Sequence, residues 1–157
     1  MKFSAKEVTQ LGFTGNYPKK FDNKQHRAAV PAIFREVLGD RFVICKAPVA
    51  EKCIFCYTEE AWEGILREVE EQNTSEFARR QQRMLCSNAL TVVPDKQGRI
   101  TISEMLCNLT DIHDIDEVLF IGVGKHIEIW NPKCFYEEMN KPVVDDESEG
   151  KTLEVHY

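Results

Sequence analysis

The sequence predicts a β-rich α+β protein in which two similar halves build one pseudo-symmetric domain with helices on its outside. Two observations support this fold class: the chain resembles itself at an offset of about 72 residues, and each half alternates short apolar runs with amphipathic segments in the same order. The chain has 157 residues, 43% hydrophobic and 29% charged, which suits a single buried core and argues against wholesale disorder.

The internal repeat is visible in separate blocks. Asn23–Arg27 aligns with Asp95–Arg99 at an offset of 72, and Lys52–Tyr57 aligns with Lys125–Trp130 at an offset of 73. There are only two copies, and the period is too long for a solenoid unit. We therefore expect two similar halves that pack together.

In the first half, a strand carrying Arg27 runs into a helix between Pro31 and Gly39, because proline at the start and glycine past the end are typical helix boundaries. The runs Phe42–Lys46 and Cys53–Tyr57 then predict a hairpin. A helix begins near Thr58 with one apolar stripe, formed by Trp62, Ile65, Leu66 and Val69.

The second half follows the same order. Ile100–Ile102 alternates as a half-buried strand should, and Ser103 is placed to cap the next helix. Val118–Val123 and Ile127–Trp130 predict the second hairpin, and a helix begins at Asn131-Pro132 with Phe135 inward. A connector helix is expected over Thr74–Cys86, between the halves.

The charge is distributed unevenly along the chain. The net charge is −6, but Val143–Tyr157 holds five acidic residues and one lysine, whereas Lys19–Arg27 holds four basic residues and one aspartate. An acidic protein can thus carry a basic loop, and nucleic-acid binding stays open. Arg79, Arg80 and Arg83 form a second cationic group, which we expect at subunit contacts rather than on DNA.

Composition and cysteine placement argue against other classes. The start of the chain lacks an apolar secretory segment and no run could span a bilayer, so we expect a cytoplasmic protein with reduced cysteines and no membrane partner. Cys53 and Cys56 lie three apart on a predicted strand, so they should face opposite sides and not bind one metal ion together, and no metal site is predicted. A zinc site that includes Cys45 or His113 is the remaining alternative. No nucleophile has a nearby base in sequence, so no enzyme activity and no cofactor are predicted. His126 is expected to be exposed on its strand.

The most specific local signal is Asp95-Lys96-Gln97-Gly98-Arg99. The glycine tolerates a positive φ, and the tight turn would present Lys96 and Arg99 while Asp95 holds the arginine or caps the turn. Arginine suits guanine edges and phosphates, and lysine acts as a point charge. A solvated hairpin turn with an internal ion pair is the alternative for one loop alone. Two copies at matched positions favour a DNA-reading edge.

Three stretches carry a family resemblance, and their combination and order are characteristic: residues 95–102 (DKQGRITI), 34–43 (FREVLGDRFV) and 120–130 (FIGVGKHIEIW). The chain resembles the MraZ family, which is related to the AbrB and SpoVT swapped-hairpin proteins, over residues 13–141. The resemblance implies two tandem AbrB-like swapped-hairpin halves that form a pseudo-symmetric double-split β-barrel. The implied boundaries are a first repeat at 13–72, a connector at 73–86, a second repeat at 87–141 and an acidic tail at 142–157.

The family hallmark is an Asp-x-x-x-Arg loop in each half. Asp95 and Arg99 fit it, whereas the first loop has Asn23 at the aspartate position, Asp22 one residue early, and His26 in place of glycine. The first loop therefore either bulges by one residue or uses Asn23 instead of aspartate. The basic loops and the resemblance together predict eight DNA-binding residues: Lys20, Asn23, Lys24, His26, Arg27, Asp95, Lys96 and Arg99.

The resemblance also implies a function. MraZ-like proteins form homo-oligomeric rings, associate with the nucleoid, and bind direct repeats in the promoter of the division and cell-wall gene cluster, mainly as repressors. The expected partner is thus double-stranded DNA. The alternative is an antitoxin-like protein-binding module built on the same kind of barrel.

Overall fold

The structure, a computed structural model, describes residues 12–142. The N-terminal start and the acidic segment from residue 143 onward, both discussed above from sequence, lie outside this range. The described part of the chain contains eight strands: β1 (Asn16–Asp22), β2 (Arg27–Ala29), β3 (Phe42–Lys46), β4 (Ile54–Thr58), β5 (Leu90–Val92), β6 (Arg99–Thr101), β7 (Glu117–Gly122) and β8 (Ile127–Trp130). The same residues form five helices: α1 (Ala32–Leu38), α2 (Glu59–Glu71), α3 (Glu76–Cys86), α4 (Glu104–Leu109) and α5 (Pro132–Met139).

All eight strands belong to one antiparallel sheet that curls into a nearly closed barrel, in the order β5-β3-β4-β8-β7-β1-β2-β6. The two outermost strands, β5 and β6, follow one another in the chain. A tight turn joins them, in which the Asp95 N–H donates to the Arg99 carbonyl at 2.9 Å. The predicted β-rich α+β barrel is confirmed.

Hairpins from the two halves alternate around the barrel, and the strands at their borders pair across the halves: β1 with β7, β2 with β6, β3 with β5 and β4 with β8. The register agrees with the offsets found in the sequence. Ala28 pairs with Ile100, 72 residues later, and Phe55 pairs with Glu128, 73 residues later. In both ladders, a residue of the first half thus pairs with its own equivalent in the second half, which is the arrangement expected where a pseudo-twofold axis passes through a ladder. The domain boundaries at residues 72, 86 and 141 stay predictions.

The sheet buries its inner face along all eight strands described in residues 12–142 and its outer face along β3, β4, β7 and β8, which explains the two hydrophobic clusters. The inner cluster fills the barrel and includes Phe34, Phe42, Ile100 and Phe120. The outer cluster includes Tyr57 and Trp130 on the sheet, with Ile65 and Val69 of α2 packed over them, and Trp62 and Phe135 partly buried at its margin. Alternation therefore places apolar side chains on both sides of β3, β4, β7 and β8, whereas the outward residues of β1, β2, β5 and β6 are partly or fully exposed.

The helices begin where the sequence places their caps. The hydroxyl oxygens of Thr58, Ser75 and Ser103 accept hydrogen bonds from backbone N–H groups in the first turns of α2, α3 and α4. Pro31 occupies the cap position of α1, and Gly39 ends that helix at φ 83°. The connector helix spans Glu76–Cys86, within the predicted range.

Two sequence expectations about β4 and β8 have different outcomes. Cys53 lies in the outer cluster and Cys56 in the inner one, as predicted from strand alternation. The expectation that His126 is exposed is wrong, since it is only 7% exposed. Its ring stacks on Phe55 at 3.9 Å between centroids, and Nε2 contacts the Glu128 carboxylate at 3.0 Å. Within residues 12–142, no helix is long and apolar enough to cross a membrane.

Candidate nucleic-acid interface

Two loops carry four of the five lysines and arginines that the sequence predicts to bind DNA, and the fifth, Lys20, lies on β1. The first loop, Asp22–Arg27, joins β1 to β2, and the second loop, Asp95–Arg99, joins β5 to β6. We call them together the paired loops. Each begins with an aspartate whose carboxylate binds the arginine that ends it, so the two loops share one construction.

The second loop is a compact turn organised by Asp95. Its Oδ1 accepts hydrogen bonds from the N–H groups of Gln97 and Arg99, both at 2.9 Å, and its Oδ2 accepts from Arg99 Nε at 2.8 Å. Gly98 sits at φ 77°, a conformation that glycine adopts without steric cost. The Arg99 N–H foremost, and then its guanidinium, hold the pKa of Asp95 below its usual value, so the carboxylate stays ionised at neutral pH.

The first loop reaches the same arrangement with one extra residue. Asp22 Oδ1 accepts from the N–H groups of Gln25 and Lys24, at 3.2 and 2.9 Å, and Oδ2 lies 3.7 Å from Arg27 Nη2. The Gln25 and Lys24 amides, helped by Arg27, hold the pKa of Asp22 below its usual value. Asp22 therefore does in this loop what Asp95 does in the other, and the longer-loop alternative is the one observed.

Asn23 has a different task. Its Nδ2 donates to the Ile115 carbonyl at 2.7 Å, and the Ile115 N–H donates to Asn23 Oδ1 at 3.2 Å. The amide therefore anchors the first loop to the segment that precedes β7. Both ends of the Asn23 side chain are engaged within the protein.

The paired loops are also linked to each other's strands. The His26 carbonyl accepts from the Ile102 N–H at 2.8 Å, and the Gly98 carbonyl accepts from the Val30 N–H at 2.9 Å. His26 and Gly98 occupy equivalent positions, and both have positive φ, 54° and 77°. His26 thus adopts in the first loop the positive-φ conformation that Gly98 has in the second loop. The His26 ring stacks parallel to the Phe21 ring, with 6.4 Å between the ring centroids.

Arg27 and Arg99 lie on one outward face. In the β2–β6 ladder, Arg27 pairs with Thr101 and Ala29 pairs with Arg99, while the intervening Ala28 and Ile100 point into the core. The two arginines therefore occupy one diagonal of a two-stranded ribbon. Their side chains are 26% and 35% exposed, so both are partly packed yet open to solvent.

An open concavity of about 650 Å³ lies against this ribbon. Its charged lining consists of five cations and one carboxylate: Lys19, Lys20, Lys24, Arg27, Arg99 and Asp22. Both arginines thus border the same space, and β1 adds two lysines to it. A strongly positive, concave surface of this kind attracts polyanions.

The remaining predicted residues lie around this concavity. Lys24 and Lys96 are exposed and, in the described part of the chain, form no ion pair. Lys96 is in the second loop but does not line the concavity, whereas Lys20 does. The sequence-predicted set is thus collected along one edge of the barrel, with Asn23 and Asp95 holding the loops and the cations presenting charge.

Sequence reasoning missed Arg35. It lies on α1, and its guanidinium packs against Gly98 so closely that a β-carbon added there would stand 2.7 Å from Arg35 Nε. Nothing in the local sequence distinguishes this arginine from a solvated helix residue. Its role depends on how α1 packs over the second loop, which is a tertiary feature.

Comparison with known proteins gives two findings. Residues 85–145 match the family model described as "MraZ protein, putative antitoxin-like". The "Transcriptional regulator MraZ" of Roseiflexus sp. (strain RS-1) is 35% identical over 122 residues, which cover 77% of this chain and 82% of that relative.

Proposed function

The chain belongs to the MraZ family, and from this premise we propose that it is a DNA-binding transcription regulator that grips duplex DNA with its paired loops. The observation that carries the proposal is the position of Arg27 and Arg99. They come from different halves of the chain, yet they share one outward face and one cationic concavity.

The chemistry of the paired loops suits nucleic acid. Asp95 holds Arg99 through Nε, which leaves both Nη groups of the planar fork outside this ion pair for phosphates or base edges. Lys20, Lys24 and Lys96 add point charges that suit the phosphate backbone. His26 precedes Arg27 in the first loop, and its ring offers an N–H to the phosphate backbone of the DNA. Asn23 and Asp95 act by fixing loop geometry.

The finer proposal concerns the target and the assembly. We propose that the protein acts mainly as a repressor at direct repeats in the promoter of the division and cell-wall gene cluster, in the cytoplasm and on the nucleoid. One pair of loops offers few contacts, so several protomers in a homo-oligomeric ring would bind adjacent repeats together and gain affinity through effective concentration. The chain's net charge of −6 would disfavour contacts elsewhere on its surface.

The proposal is tested with the double variant Arg27→Ala/Arg99→Ala and DNA from upstream of the protein's own gene. Each arginine is expected to contribute about tenfold in affinity, so binding should weaken by about 100-fold. Where both arginines neutralise phosphates, their loss should also reduce the slope of log Kd against log salt concentration by about two. Affinity is measured by fluorescence anisotropy at several salt concentrations.

The matched control is Arg67→Ala/Lys133→Ala, which removes two positive charges from exposed positions on α2 and α5. It should bind within about twofold of the wild-type protein, because rim charges far from the contact act weakly. Equal binding by the loop variant and the control would contradict the proposal. That result would favour the antitoxin-like alternative, in which the barrel binds another protein.

A further inference from the structure

Arg35 of α1 differs from the other cations near the paired loops in what it contacts. A β-carbon built on Gly98 would collide with Arg35 at Nη1 and Cζ, and would lie 2.7 Å from Nε. The guanidinium therefore covers the Gly98 backbone in the place where any other residue would carry a side chain. Nε is buried and has no hydrogen-bond partner, and within residues 12–142 Arg35 forms no ion pair.

The segment that carries Arg35 is itself tied to the second loop. The Val30 N–H donates to the Gly98 carbonyl at 2.9 Å, and α1 begins two residues later. Arg35 lies one turn further along that helix. Gly98 is thus held from one side by a strand hydrogen bond and covered by a guanidinium that the same segment supplies.

The first loop has no counterpart of this arrangement. At the repeat offset of 72, Arg35 corresponds to Cys107 of α4, which is buried and whose Sγ lies 3.8 Å from the Ile102 carbonyl. The first loop is instead held by the two hydrogen bonds between Asn23 and Ile115. The pseudo-symmetric loops are therefore fixed by different means.

We propose that Arg35 is a positioning residue for the second loop, where its guanidinium holds the Gly98 turn in the conformation that presents Lys96 and Arg99 to DNA. This inference rests on the proposed function for its DNA-binding consequence, but not for its effect on the loop. A planar guanidinium covers a peptide group as an ammonium does not, and a loop that is ordered before binding loses less entropy on binding. Since no carboxylate within residues 12–142 pairs with Arg35, its positive charge adds to that of the cations of the loop.

The test uses Arg35→Ala and Arg35→Lys in the full chain, with two readouts. Hydrogen exchange of the free protein should be faster over residues 95–99 in both variants and unchanged over residues 22–27. Affinity for the promoter DNA should fall by about tenfold in both, because lysine keeps the charge but cannot cover the turn. Arg67 is an exposed arginine on α2, and Arg67→Ala serves as the matched control. It should change neither the hydrogen exchange nor the affinity for DNA.

A double-mutant cycle with Gly98→Ala gives an independent measurement. In the wild-type background Gly98→Ala has two costs: the added methyl group must displace the Arg35 guanidinium, and the alanine backbone must adopt an unfavourable positive φ. In the Arg35→Ala background only the backbone cost remains. The loss of DNA affinity that Gly98→Ala causes, expressed as a ratio of Kd values, should therefore be about threefold smaller in the Arg35→Ala background than in the wild-type background.

Each outcome decides the proposal. Unchanged exchange over residues 95–99 in both variants would overturn it, whether or not the wild-type protein binds DNA. Normal binding and normal exchange in Arg35→Lys, with weak binding in Arg35→Ala, would assign Arg35 to a direct phosphate contact and also overturn it. Wild-type protein that does not bind DNA would contradict the proposed function, while the exchange comparison would still test the positioning role.

Discussion

At the scale of single residues, the paired loops show one geometry reached from two different sequences. Asp22 and Asp95 each accept hydrogen bonds from two backbone N–H groups and form an ion pair with the arginine that ends their loop. His26 and Gly98 both supply the positive φ that turns the chain back. The extra residue of the first loop is accommodated between Asp22 and His26, so Arg27 keeps its place on β2.

The two loop aspartates predict how stability depends on acid. Their pKa values are lowered in the folded protein from 3.8, so the stability that they contribute is present above that pH and is lost as the pH falls through the folded-state values. Asp22→Asn/Asp95→Asn removes this titration. The melting temperature of the variant should therefore fall less steeply than that of the wild-type protein as the pH falls below 3.8.

The control for this prediction is Asp40→Asn/Asp116→Asn, which changes two exposed aspartates outside the paired loops. Thermal denaturation followed by circular dichroism across the pH series provides the comparison. Equal acid slopes in wild type and loop variant would show that the loop carboxylates do not contribute as their hydrogen bonds imply.

At the scale of elements, the β2–β6 ladder positions both arginines. Ala28 and Ile100 pair at its centre and are each 1% exposed, so they fix the ribbon on the core while the arginines face outward. The two ladder strands are only three residues long. Their placement therefore depends on packing beneath them more than on the length of the strand.

Ile100→Ala should lower the free energy of unfolding by about 2–5 kcal/mol, because it removes a fully buried side chain and leaves a cavity. Thr101→Ala, at the adjacent exposed position, is the matched control and should change stability by less than about 0.5 kcal/mol. Urea denaturation of both variants measures the difference. A cost for Ile100→Ala as small as that of the control would contradict the packing described for this ladder.

Many elements could be predicted from sequence because their signals are local. The cap at Thr58, the capping hydroxyl of Ser103 and the alternation of Ile100–Ile102 all act within a few residues. The repeat offset also made Arg27 and Arg99 equivalent. That they share one face follows from the pairing of β2 with β6, which joins distant parts of the chain and has no local signal.

The rest of the candidate site depends on tertiary contacts. The sequence does not decide the role of Asp22, because two loops are compatible with it: a loop one residue longer that uses Asp22, and a loop of equal length with Asn23 at the aspartate position. The contact of Arg35 with Gly98, and the burial of His126 beneath Phe55, depend on which elements pack together. Neither can be read from residue spacing.

At the scale of the whole molecule, each half completes the barrel of the other. Within the first half only the β1–β2 and β3–β4 hairpins are paired, and each of the four strands takes a further partner from the second half. An isolated half would thus expose strand edges and one side of the inner core.

A fragment of residues 12–86 should therefore have no folded monomer, and should fold only where a second copy takes the place of the missing half. Its melting temperature should rise with protein concentration, as for any folding coupled to association. Circular dichroism over a concentration series, with mass from light scattering, tests this. A cooperative, concentration-independent transition at monomer mass would contradict the interdependence of the halves.

The central claim is that the two halves present their loops to DNA as one surface. Hydrogen exchange of the wild-type protein, with and without promoter DNA, tests it most directly. DNA should slow exchange in residues 22–27 and 95–99 together, at the same ratio of DNA to protein, and leave α2 and α5 unchanged. Slower exchange in only one loop, or on the helices instead, would contradict the claim.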